Sequence, residues 1–115
     1  MIAVIFEVFP AEGQQDAYLD MAGKMRPLAE SIPGFIGVER FQSLTTPGKL
    51  LSLSFWEDEA ALEAWRNLPQ HRGAQRAGRE VMFAGYRLRI AGVIRDYGMD
   101  ERDEAPEDSR AAHGV

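Results

Sequence analysis

An α+β fold with the element order β-α-β-β-α-β is what this sequence predicts, and three observations carry the prediction. Four runs rich in β-forming residues stand at Ile2 to Phe9, Phe35 to Ser43, Lys49 to Trp56 and Tyr86 to Tyr97. After the first and the third of these, apolar residues recur at three- and four-residue steps, the spacing of a helix with one buried stripe. Pro and Gly mark the boundaries between them. The order is the split βαβ, or ferredoxin-like, arrangement: a four-stranded antiparallel sheet with its helices on one face.

The first strand closes at Pro10 and Gly13. The first helix, from about Gln14 to Ser31, places Ala17, Tyr18, Met21, Ala22, Met25, Leu28, Ala29 and Ile32 on its buried side. Pro27 lies within this pattern and removes a bond to the carbonyl of Gly23, so a kink or a frayed last turn is expected before Pro33-Gly34 stops the helix. Strands two and three are joined by Thr45-Thr46-Pro47-Gly48, a turn in which Pro presets φ and Gly tolerates positive φ, so they are antiparallel neighbours. Glu57, Asp58 and Glu59 put negative charge at the start of the second helix, where its dipole favours it. That helix carries Ala61, Leu62, Trp65 and Leu68 on one side. Pro69 interrupts it, and a second segment runs from Gln70 to Glu80.

The strands are apolar on both faces. Ile2, Val4, Phe6 and Val8 oppose Ala3, Ile5 and Phe9; Leu51, Leu53 and Phe55 oppose Leu50 and Trp56; Ile36 and Val38 oppose Phe35 and Phe41. Helices on one side and water on the other would give cleaner alternation. At ~25 cal/mol per Å2, leaving these side chains wet would forfeit many kcal/mol. A homodimer joined sheet to sheet is therefore expected.

With 115 residues and 12.9 kDa the chain has room for one core, assigned to residues 1–97. The net charge of −5 is unevenly spread. Residues 98–115 hold six acids against Arg102 and Arg110, which leaves 12 acids and 11 bases in residues 1–97. The tail has little to bury and is expected to be disordered beyond about Met99. No concentrated basic surface suggests nucleic acid as a partner. The absence of Cys excludes disulfides, thiolate metal sites and Cys nucleophiles. No segment approaches the ~20 apolar residues of a membrane span, and MIAVIFEVF lacks a basic n-region and a cleavage site. A cytoplasmic protein with no membrane partner is the expectation.

Three segments together are distinctive. Pro33-Gly34-Phe35 leads into Val38-Glu39-Arg40-Phe41. Ser54-Phe55-Trp56-Glu57-Asp58-Glu59-Ala60-Ala61-Leu62-Glu63-Ala64-Trp65-Arg66 joins a strand to a helix. His71-Arg72 and Gln75 precede Tyr86-Arg87-Leu88-Arg89. Over residues 1–97 the chain resembles the antibiotic biosynthesis monooxygenase family of the dimeric α/β-barrel superfamily. The resemblance implies a dimer whose two sheets form a barrel, with a pocket in each subunit between sheet and helices. Some members oxidise reduced polycyclic phenols with molecular oxygen and no cofactor; others degrade haem, gripping it with a helix His and using a strand Asn and a helix Trp.

His71 and Trp65 are the candidate catalytic residues. His71 is the only histidine outside the tail, and a pKa near 6.5 suits a base acting on a phenol at neutral pH. Its alternative role is a solvated or capping side chain. Trp65 matches the family's helix tryptophan and would wall a flat substrate, or else belongs to the core stripe. Arg72, Gln75, Tyr86, Phe6 and Phe83 form the candidate substrate-binding set. Arg66, Arg72, Arg76 and Arg79 would hold an anionic group or form a solvated face with Glu63 and Glu80.

Haem fits poorly: ten residues after Trp65 stands Gln75 in place of a ligating His, and the first strand offers Phe6 and Glu7 where the family has its asparagine. No metal site is expected, because one body His with scattered acids does not build a cage. The expected function is cofactor-independent oxidation by O2 of a small aromatic or phenolic substrate, quinol- or anthrone-like. The alternatives are a non-catalytic small-ligand-binding or stress-associated dimer and, third, a haem-binding member.

Overall fold

The computed structural model describes residues 1–115. Strand β1 (Ile2–Pro10) is followed by helix α1 (Gln15–Glu30), strands β2 (Phe35–Gln42) and β3 (Leu50–Trp56), helices α2 (Glu59–Arg66) and α3 (Pro69–Ala77), a π-helical turn at Gly78–Met82 and strand β4 (Phe83–Gly92). The four strands form one antiparallel sheet in the order β2-β3-β1-β4. This is the ferredoxin-like topology, with the helices on one face. No helix is long and apolar enough to cross a membrane.

The helix-facing side chains pack into two clusters. Ala29, Trp56, Ala61 and Leu62 gather Ile2, Val4, Ile32, Phe35 and Trp65 around them, and Val8, Tyr18 and Leu50 gather Phe6, Met21 and Phe83. The even-numbered residues of β1 thus face the helices, while Ile5 and Glu7 face the other way with Leu51, Leu53 and Phe55. On that open face the Glu7 carboxylate meets Lys49 Nζ at 2.5 Å and Arg89 Nη1 at 2.7 Å. These bonds, led by the one from Lys49, lower the Glu7 pKa from its ordinary value.

Two elements depart from the pattern read in the sequence. In β2, Phe35 pairs with Trp56 and Gly37 with Phe55, so Ile36 is an extra residue in a bulge and is half exposed. The bulge resets the phase of the strand. Phe35 and Val38, expected on opposite faces, both lie on the helix side with Arg40. In β4 the pairing begins at Phe83, opposite Pro10, instead of Tyr86, and ends at Gly92 instead of Tyr97. The last ladder bond runs from the Val93 amide to the Met1 carbonyl. Beyond it β1 offers no partner, so the apolar residues Ile94 and Tyr97 leave the sheet.

Beyond Tyr97 the chain carries local structure of its own. Arg102 organises it: Nη1 donates to the Gly98 carbonyl at 3.1 Å, the guanidinium lies 5.3 Å from the Tyr97 ring centre, and Ala105 is buried. A short helix α4 (Glu107–His113) follows Pro106. Glu107 and Asp108 in its first turn and Arg110 and His113 in its last suit the helix dipole, a local arrangement that composition alone does not register.

Candidate active site

Strand pleat and antiparallel register lay the helix-side residues out in rows across the sheet. Val38, Ser54, Val4 and Ile90 form one row; Arg40, Ser52, Phe6 and Leu88 form the next. Over them lies a cavity of about 410 Å3, roofed by α1, α2 and α3 and open to solvent on one side. That volume suits a small organic molecule.

The roof is organised around a break in the second helical region. Asp58 caps α2 by accepting from the Ala61 amide at 2.8 Å. Pro69 opens α3, at the first turn where its missing N–H costs nothing. Across the break the His71 ring stacks on Trp65, with centroids 4.0 Å apart and planes 17° from parallel. Trp65 in turn stacks on Trp56 at 6.1 Å.

His71 Nδ1 lies 3.0 Å from the Trp65 carbonyl oxygen. A carbonyl only accepts, so Nδ1 carries the proton and Nε2 keeps its lone pair. Gln75 Nε2 is 3.2 Å from the same nitrogen but is itself a donor, and its amide is oriented elsewhere: Oε1 accepts from Arg72 Nη1 at 2.9 Å, and Nε2 donates to the Arg66 carbonyl at 3.2 Å. Burial pushes the His71 pKa below its ordinary 6.5; the bond to Trp65 opposes this and the positive charge of Arg72 assists it. The imidazole is therefore neutral at pH 7, a base with one nitrogen tied and one free.

The candidate catalytic and substrate-binding residues all line this one cavity: His71, Trp65, Arg72, Gln75, Tyr86, Phe6 and Phe83. Phe6, Phe83 and Tyr86 form a mutual aromatic cluster with centroids 5.5 to 5.9 Å apart. Gly78, in the π-helical turn, admits the Phe83 ring: a Cβ there would stand 2.3 Å from Cε2. Arg79 donates to the Tyr86 hydroxyl. Of the arginine run, Arg66, Arg72 and Arg79 line the cavity and Arg76 does not.

Sequence reasoning missed Arg40, Ser52 and Ser54 on the cavity floor. Period-two alternation from Trp56 back through Ser54 and Ser52 carried the signal for the serines; the bulge at Ile36 hid that for Arg40. No group of three or more His, Asp or Glu side chains is placed to hold a metal ion.

Fold and site together define a ferredoxin-like α+β protein with a largely apolar, histidine-bearing cavity between sheet and helices. Residues 1–77 match the family described as antibiotic biosynthesis monooxygenase, and the chain belongs to that family. It is 46% identical over 93 residues to the jasmonate monooxygenase ABM of Pyricularia oryzae, covering 81% of this chain but 43% of that protein. It is 34% identical over 93 residues to the uncharacterized protein YqjZ of Bacillus subtilis, covering 81% of this chain and 79% of that one. Among solved structures, Rv0793 from Mycobacterium tuberculosis superposes with a TM-score of 0.75 at 15% identity, over 84% of this chain and 98% of that one. A structure titled antibiotic biosynthesis monooxygenase gives 0.70 at 16% identity, over 82% and 99%. At such identities these structures establish the shared fold.

Proposed function

We propose that the chain is a cofactor-independent monooxygenase that oxidises a small aromatic or phenolic substrate, quinol- or anthrone-like, with O2, working as a homodimer. The observation that carries the reading is His71: a neutral imidazole on the cavity wall with Nδ1 tied and Nε2 free. The name of the fungal relative, a jasmonate monooxygenase, supports oxygen insertion into a small molecule.

In this mechanism the substrate supplies the electrons. His71 Nε2 takes a proton from an acidified CH2 group, leaving a carbanion delocalised over the ring system. One electron passes to O2, and the two radicals combine to form a C–O bond. The resulting peroxide anion recovers the proton from His71. Loss of the second C–H proton then cleaves the O–O bond and releases hydroxide, which becomes water. CH2 and O2 have become C=O and H2O, so no external reductant enters the balance. Trp65 would wall the flat substrate, and the Tyr86 and Arg72 donors would stabilise the developing oxyanion.

Oxygen uptake with anthrone tests the reading, with 18O2 placing one label in the product carbonyl and one in water. His71→Ala should lower turnover about 100- to 10,000-fold, the usual contribution of a positioned base. Undiminished uptake in His71→Ala would remove it from the mechanism. The stacking of Trp65 on Trp56 favours a second reading, in which Trp65 is structural and the cavity binds a ligand without turnover; no oxygen uptake together with tight ligand binding would select it.

A further inference from the structure

We infer that the cavity takes an amphipathic monoanion, an apolar ring body bearing one carboxylate, and that Arg40 receives the carboxylate. The inference rests on the cavity being the substrate site and adds the chemical class of the substrate.

Five arginines line the cavity, and no Asp or Glu does. The chain as a whole holds 18 acids against 13 lysines and arginines, so the segregation runs against composition. The sheet shows how it arises. Glu7 and Glu39, the acids of β1 and β2, sit at register positions on the open face, where Glu7 is already paired with Lys49 and Arg89. On the cavity face the corresponding positions hold Arg40, Ser52 and Ser54.

The five arginines are not equivalent. Arg26 pairs with Glu30, Arg72 holds Gln75 and Asn67, and Arg79 holds Tyr86. Arg66, at the last turn of α2, is exposed. Arg40 forms no salt bridge, and its Nε is buried without a hydrogen-bond partner. A guanidinium keeps its charge at any ordinary pH, so one that lines a cavity with no acid of the chain beside it leaves its charge and outer donors to a bound anion. Ser52 stands beside Arg40 in the same row. Ser54 accepts from Trp56 Nε1 at 3.0 Å, which uses an oxygen lone pair and leaves its own O–H to donate.

One guanidinium and two hydroxyl donors suit a single negative charge. The other end of the same rows, Val4, Phe6, Leu88 and Ile90, is wholly apolar, and all four side chains line the cavity. Charge at the β2–β3 end and hydrocarbon at the β1–β4 end give the ligand one orientation across the sheet.

The test compares 1-naphthaleneacetate with 1-naphthaleneacetamide, matched in shape and differing in charge, by calorimetric titration of the intact chain under argon. Wild type should bind the carboxylate roughly tenfold or more tightly, the range for a hydrogen-bonded charge. Arg40→Gln should abolish that preference and leave amide affinity within about twofold, while Arg76→Gln, outside the cavity, should change neither. Ser52→Ala, which removes no charge, should lower the preference severalfold and supplies the readout if Arg40→Gln does not fold. Equal affinities in wild type, a preference that survives Arg40→Gln, or no binding of either probe would overturn the inference. Because binding is measured without turnover, this result and the oxygen-uptake result can fail independently.

Discussion

The His71 imidazole lies against the Trp65 indole, 4.0 Å between ring centres, because the helix stops between them. On a continuous helix six residues would turn about 240°, and the two rings would point apart. The break after Arg66 and the restart at Pro69 undo that rotation. Trp65 thus joins the apolar core, through Trp56, to the one titratable base in the cavity.

Trp65 should accordingly matter to stability and to the base alike. Trp65→Ala should cost about 2 kcal/mol, below the ~3–5 of a fully buried aromatic because the ring is only partly enclosed. Trp65→Phe should lose less than half as much. Urea denaturation of the two variants checks this, and equal losses would show that ring stacking contributes nothing.

The lowered pKa of His71 fixes the sign of a pH effect. Its value is about 6.5 in the unfolded chain and lower in the folded one. The unfolded chain therefore binds the extra proton more readily, and the stability contributed by neutral His71 is complete above pH ~6.5 and is lost as pH falls through the folded value. His71→Gln should flatten that part of the stability curve. In the wild type, the acid limb of kcat/KM should fall below pH ~6.5. A limb above this point would contradict the burial that sets the shift.

Gly34 occupies φ +96°, and a Cβ there would lie 2.7 Å from the Ala61 Cβ. The same residue accepts the Glu57 amide at 2.7 Å, fastening the end of α1 to the start of α2. Gly34→Ala combines backbone strain with a collision and should cost about 2 kcal/mol or more. Gly37→Ala, where a Cβ meets nothing within 4 Å, should be within ~0.5 kcal/mol of neutral. Thermal melts of both variants give the comparison.

The proposed homodimer makes the open sheet face a buried one. Wild type should sediment at twice the 12.9 kDa chain mass. Leu53→Glu, which places a second negative charge beside Glu39 among Ile5, Leu51 and Phe55, should sediment as a single chain at micromolar concentration. A monomeric wild type would remove the dimer from the proposal.

Much of this was legible in the sequence, for identifiable reasons. The helix α1 stripe is long and periodic, and Pro33-Gly34 ends it without ambiguity. His71 stood out because the folded body has no second histidine, and Gln75 followed at helical spacing. The hidden features all depended on pairing across strands. The Ile36 bulge inverts the face of Phe35 and hides Arg40, and the end of β4 is set by where β1 begins, which the sequence of β4 does not encode. Nor did local composition show Arg102 gathering Tyr97, Gly98 and Ala105 into a folded tail.

The interruption at Asn67 and Leu68 also imposes a rule on length. One residue added there would lengthen the two-residue link between α2 and α3 and carry the imidazole off the indole. The Thr45–Gly48 hairpin makes no such demand, since its ends are tied only to each other. Over evolutionary time, insertions and deletions should therefore collect in the hairpin and be purged from the interval between Trp65 and His71, whatever residues come to fill it.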